Sequence, residues 1–354
     1  MSRRPIIMPV ALVALLLLLA VLSGCAEVDY YLHLARGQAH IILGRRSLAD
    51  VLADSATTPD IRAKLHLVQE IRRFAGEQIG LRGASANYTQ YFDTGGEPVA
   101  WNVSASPPDR FAAYSWTFPL VGALPYKGYF ERSRATAERD RLQDLGYDAI
   151  AGAVSAYSTL GYLSDPILST MLEDPEDRLA DLILHELTHT TVYAEDHTDF
   201  NESVASFIGR AGSLEFLRQR YGEHSEQLTA ARQRRADLAS FQAFLRHVTT
   251  QLDSLYTSDT PRQQILKARQ QLFETSKDDY RQRRDDLGRG RYDGFLDWEL
   301  NNARLLSYRR YNSNFDGLDA LLRRHQGDLA ATLKRIVSCG DEEDPWACID
   351  GAAD

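Results

Sequence analysis

The stretch HELTHTTVYAEDHTDFNE, running from His185 to Glu202, decides how this chain is read. Leu179, Leu182 and Ile183 lead into it at helical spacing, so a helix over about Asp174 to Thr191 is predicted. On that helix His185 and His189 stand four residues apart and project from one face. Two imidazoles so placed can converge on one tetrahedral metal ion, with nitrogen–metal distances of about 2.0–2.1 Å. Glu186, beside the first histidine, can take a proton from water at the ion's open position. The pattern predicts one zinc ion per chain, bound by His185 and His189, with Glu186 as general base of a peptide-bond hydrolysis. An HExxH string also arises by chance, so the residues around it must carry part of the argument.

A catalytic zinc of this kind needs a third protein ligand. Metzincins supply a histidine in the pattern HExxHxxGxxH, but Val192 and Glu195 occupy the glycine and last-histidine positions here. In gluzincins a glutamate from a second helix completes the set. Glu202, within Asn201-Glu202-Ser203-Val204-Ala205, is the candidate, and Ala194 to Asp199 can form the turn that returns the chain. His197 and Glu195 compete for the same role, and Asp196 and Asp199 are candidate acceptors for the second N–H of a ligand imidazole.

The front of the chain reads as a targeting segment. Arg3 and Arg4 precede an apolar run from Ile6 to Leu22, and Leu22-Ser23-Gly24-Cys25 looks like the lipobox of bacterial lipoproteins. Acylation of Cys25 would anchor the remainder to a membrane, and Ala26 after it suggests the outer membrane, facing the periplasm. A net charge of −9, without a basic patch interleaved with aromatics, gives no footprint for nucleic acid. Cys339 and Cys348, near the C-terminus, are expected to pair as a disulfide in an oxidising compartment.

The remainder reads as an α+β fold with a small mixed or antiparallel sheet, the motif helix, and a mostly helical rest. Residues 1–25 are the signal segment, 26–85 a helical region that contains the capped helix start Thr58-Pro59-Asp60, and 86–222 the core carrying the site. Strands are expected over Tyr88 to Phe92, Val99 to Val103, Ala112 to Phe118 and Ala149 to Tyr157, with a helix from about Arg134 to Leu145 before the last. Residues 223–290 should form a long charged helical hairpin, able to cap a cleft or recruit a protein partner. Residues 291–354 add a helical region and an acidic tail.

Several blocks together resemble a family of predicted zinc aminopeptidases of proteobacteria, many of them classed as lipoproteins. They are Trp116-Thr117-Phe118-Pro119, Tyr126-Lys127-Gly128-Tyr129-Phe130, Ala156-Tyr157-Ser158-Thr159-Leu160-Gly161, Asp165-Pro166, the HELTH string, Phe200-Asn201-Glu202 and Asn301-Asn302-Ala303. The resemblance implies a zincin-like fold and peptidase chemistry, and favours Glu202 as the third ligand. In zinc peptidases of this architecture an edge strand beside the motif helix pairs with extended substrate, a place that Ala149 to Tyr157 and Ser158 would fit. Tyr308 is the first candidate for stabilising the oxyanion, with Tyr311 and Tyr193 behind it. Asp165 and Asp199 are candidates for holding the substrate's amine. An endopeptidase and a non-catalytic envelope lipoprotein are the alternative functions.

Overall fold

Thr58-Pro59-Asp60 does start a helix: the Thr58 hydroxyl accepts from the Ile61 N–H, and Pro59 occupies the first helical position. The structure, a computed structural model, describes residues 27–119, 122–154, 164–310 and 315–351. The N-terminal part is helical, with α1 (27–44), α2 (Leu48–Ala53) and α3 (Pro59–Phe74), the last continued by a π-helical turn at Ala75–Ile79. Short strands follow: β1 (Arg46–Ser47) lies between α1 and α2, then come β2 (Gln90–Phe92), β3 (Trp101–Ser106), β4 (Trp116–Phe118), β5 (Gly122–Leu124) and β6 (Lys127–Tyr129). Helix α4 (Arg132–Asp144) precedes β7 (Asp148–Ala153) and β8 (Ile167–Leu168).

The fold is α+β, but the strands form three small sheets instead of one. β2 pairs antiparallel with β1 and parallel with β8; β3 pairs antiparallel with both β6 and β7; β4 and β5 form a hairpin. The turn after β3 separates β4 from it. The Ser106 hydroxyl donates to the Arg110 carbonyl and accepts from the Ala112 N–H, so the Pro107-Pro108 segment folds back before pairing can resume. The strand expected from Ala112 therefore begins only at Trp116.

The second half is helical: α5 (Glu176–His189), α6 (Thr198–Tyr221), the hairpin of α7 (Glu226–Tyr256) and α8 (Arg262–Gln282), then α9 (Asn302–Arg310), α10 (Phe315–Arg324), α11 (Leu329–Gly340) and α12 (Pro345–Asp350). The C-terminal helical region is divided between α10 and α11 by Gln326 and Gly327, both at positive φ. Cys339 and Cys348 are joined by a disulfide across that C-terminal corner. The main core runs from Ile41 to Ile349 and has α5 and α6 at its centre. A second, aromatic core fills the hairpin, where Phe241, Phe244, Tyr280 and Phe295 meet. Asp177 near the start of α5 ties the hairpin down through two hydrogen bonds from Arg234, at 2.7 and 2.8 Å.

Helices α5 and α6 approach unusually closely because α6 carries glycines at the crossing. A Cβ on Gly209 would lie 2.6 Å from the Asp181 carbonyl oxygen and 3.3 Å from the His185 Cβ, and one on Gly212 would lie 2.8 Å from Leu184 Cδ1. Since the Asp181 carbonyl belongs to the α5 backbone, the helices themselves would have to part. Gly209→Ala is expected to destabilise the fold by about 1–3 kcal/mol through overpacking, read by denaturant unfolding of the full chain. It should also loosen the site described next, because both helices supply it.

Candidate metal centre

Residues 190–197 carry the chain from α5 into α6, and their course is pinned from both sides. Asn201 reaches back from the first turn of α6: its side-chain oxygen accepts from the Ala194 N–H, and its amide donates to the Ala194 carbonyl, each at 2.8 Å. Asp196 takes up the reversal at φ 60, a left-handed conformation that aspartate tolerates. From the other side, the Arg82 N–H donates to Thr191 Oγ1 at 2.9 Å, and Gly83 at φ 74 lets that loop approach Thr190. The Asn201 clamp sets the angle at which α6 leaves the turn, and so aims its neighbour Glu202.

Three donor atoms meet where α5 faces α6. The Nε2 atoms of His185 and His189 are 3.3 Å apart, and Glu202 Oε2 lies 3.5 Å from the first and 3.7 Å from the second. A regular tetrahedron with metal–ligand arms of about 2.0–2.2 Å has edges of about 3.3–3.6 Å. The observed edges of 3.3, 3.5 and 3.7 Å come close to those of one face of such a tetrahedron, so these three atoms could hold a metal ion. The side chains are 15, 7 and 13 % exposed for His185, His189 and Glu202, so the donors are largely dry yet reachable. Among the described residues this is the one group of histidines, cysteines and acids that converges in this way. Glu195 is exposed and His197 is half-buried at the α6 N-cap, and neither joins it.

The sequence profile described as “Putative aminopeptidase” matches residues 29–345. The chain belongs to this family. No curated protein and no solved structure matches it. The family name suggests hydrolysis of peptides, and the matched span includes α5, α6 and the whole donor set, which could hold a metal ion in this family member.

The two imidazoles are shifted in opposite directions. Burial pushes the His189 imidazole down to about 4, against the opposing charge of Glu202, which leaves a neutral ring with a free lone pair at pH 7. For His185 burial acts the same way, but the hydrogen bond with Glu202 and the charges of Glu186, Glu202 and Asp181 prevail and raise it above its ordinary value. Ser206, one turn beyond Glu202, sets its Oγ 3.4 Å from His185 Nδ1 and so keeps Nε2 turned toward the other donors. Neither Asn201 nor Ser206 is singled out by the sequence for these roles; their only signal is a polar residue one position before, and one turn after, the presumptive ligand. Ser206→Ala is expected to weaken metal affinity by about 10–100-fold with little change in stability, measured by chelator competition. Ser206→Thr should restore it.

Glu186 is half-buried beside the donors, and its charge reaches Tyr88. Tyr88 is 2 % exposed and held at φ 56, a conformation a bulky residue seldom adopts. Its N–H donates to the Asp165 carbonyl at 2.8 Å, while Asn87 Oδ1 accepts from the Asp165 N–H at 2.9 Å. Burial, then the charges of Glu186 and Asp165, push the phenol well above its ordinary range, so it stays protonated. Asp165 is thus a buried neighbour of Tyr88, whereas Asp199 is exposed in the first turn of α6.

The remaining candidates lie on other parts of the chain. Tyr308 packs in the aromatic core, 5.3 Å from the Trp298 ring and 6.1 Å from Phe241, and burial raises its phenol. Tyr193, one turn past His189, is 57 % exposed. Tyr157, Ser158, Tyr311 and Cys25 lie outside the described residues. Strand β7 is an edge strand in its sheet, but it packs on α4 and α9, while α5 packs on α3 and α6. The later part of the expected substrate strand, after residue 154, lies outside the described residues. Asn302 proves structural: fully buried, it donates to the Pro107 and Arg110 carbonyls, accepts from the Tyr256 hydroxyl, and its N–H meets Asp148. A cavity of about 540 Å³ near the start of α5, lined by Lys64, Glu176 and Arg220 among others, contains none of the donor set.

Proposed function

We propose that the chain is a zinc-dependent aminopeptidase of zincin-like architecture, held by a lipid on Cys25 at the outer membrane and facing the periplasm. The observation that carries this reading is the donor triangle, whose edges fit a tetrahedral ion and whose chemistry, two imidazoles and one carboxylate, is that of a catalytic zinc site. His185 Nε2, His189 Nε2 and Glu202 Oε2 would hold the ion. Bound there, zinc supplies Lewis acidity toward the substrate carbonyl and lowers the pKa of water.

Each other part belongs to the chain. Glu186 accepts the proton of the attacking water and returns it to the leaving amine. Tyr88, kept neutral, places no competing charge beside that base. Ser206 and Asn201 hold the donors in register. Tyr157 and Ser158 are proposed to pair with extended substrate, and Tyr308, whose phenol burial raises, is proposed to stabilise the oxyanion. The Cys339–Cys348 disulfide supports an oxidising compartment, in keeping with export.

Exopeptidase action rests on the family and is tested separately. A peptide with a free α-amine should be cleaved, and its N-acetylated twin should lose nearly all turnover at equal concentration. Equal cleavage of the two, followed by mass spectrometry, would make the enzyme an endopeptidase while leaving the metal chemistry intact.

A further inference from the structure

Helix α1 carries apolar surface on two opposite sides. Its inner line is Tyr30, His33, Gly37 and Ile41. Tyr30 donates to the Gly128 carbonyl at 3.0 Å, and His33 Nε2 accepts from the Phe130 N–H at 3.0 Å. Gly37 faces Phe130 so closely that a Cβ would sit 2.1 Å from the ring, and Ile41 enters the main core. The outer line is Val28, Leu32, Ala35, Ala39 and Leu43, at intervals of four, three, four and four residues, all exposed. Val28 is 59 %, Leu32 50 % and Leu43 85 % exposed, and Tyr31, beside them, 40 %. At about 100° per residue Asp29 and Arg36 fall on one margin of this stripe, and Glu27 falls on the opposite flank of α1. A helix on a water-facing surface normally turns polar residues outward. Here the most outward arc is wholly apolar, over about 22 Å from Val28 to Leu43.

We propose that this stripe lies on the lipid leaflet, making α1 an interfacial helix that fixes how the protein sits on its membrane. The choice of occupant rests on the lipid-anchor reading proposed above. Only Ala26 separates Cys25 from the start of α1, and two residues span at most about 7 Å, so an acylated Cys25 would hold the helix at the bilayer surface. The exposed residues then bury their apolar side chains at the acyl boundary, as interfacial helices do. Because the stripe carries no charge, its attachment should depend little on salt.

The test uses the full chain, extracted from bacterial membranes and reconstituted into phosphatidylethanolamine–phosphatidylglycerol vesicles with brominated acyl chains. Leu43→Trp adds an indole on the stripe; Leu145→Trp adds one at another exposed leucine, at the far end of α4. After subtraction of the parent's emission, bromine should quench the indole from Leu43→Trp at least twofold and leave that from Leu145→Trp unchanged, in low and high salt alike. Equal quenching at both positions overturns the proposal. So does absence of quenching together with a dimer that Leu32→Asp plus Leu43→Asp dissolves, which would assign the stripe to a second copy. Mass spectrometry of the N-terminal peptide decides the anchor on its own: quenching without acyl chains would refute the anchor and leave the docking surface standing.

Discussion

Glu186→Gln is expected to lower kcat/KM on a free-amine peptide by about 100- to 10,000-fold, the span over which general acid–base catalysis operates, while zinc remains bound. Glutamine has the size and shape of the glutamate it replaces but cannot take up a proton at neutral pH. Glu186 lies outside the donor triangle, so its loss leaves His185, His189 and Glu202 where they are. Zinc content and turnover should be measured on the same sample. Retained turnover in zinc-loaded Glu186→Gln would remove this residue from the mechanism; loss of the metal would make it part of the binding site.

Glu202→Ala should reduce zinc affinity by more than the about 10–100-fold expected for a residue that only orients a ligand. It removes one of the three donor atoms and leaves two imidazoles, one of which loses its carboxylate partner at 3.5 Å. His197→Ala and Glu195→Ala form the comparison, because their sequence positions make them rivals while neither converges on the triangle. Their zinc affinity should match the parent's in chelator titrations. If His197→Ala lost zinc and Glu202→Ala kept it, the turn between α5 and α6 would be arranged differently in solution.

Much of the centre was legible because it depends on local periodicity. Four-residue spacing on one helix aims His185 and His189 together whatever surrounds them, and the apolar lead-in marks that helix. Glu202 was legible only as one of three alternatives, since choosing it requires the path of a turn. That path is set by Asn201 bonding to Ala194 and by a loop around Arg82 more than a hundred residues earlier in the chain. Gly209 illustrates a second limit. A glycine inside a helical pattern reads as a weak point until the partner helix is known to press its backbone against it. The Asn301-Asn302-Ala303 block is one of the family-like blocks, and in the structure Asn302 ties a turn, a strand and a helix together. The late start of β4 likewise follows from one hydroxyl, Ser106, folding the chain back after β3.

The most direct test of the central claim is the zinc content of the purified full chain, measured by plasma mass spectrometry beside His189→Ala. One zinc per chain in the parent and none in the variant is the predicted result. A parent that holds no metal after reconstitution with zinc would contradict it, and His185, His189 and Glu202 would then be no more than a buried polar contact between two helices.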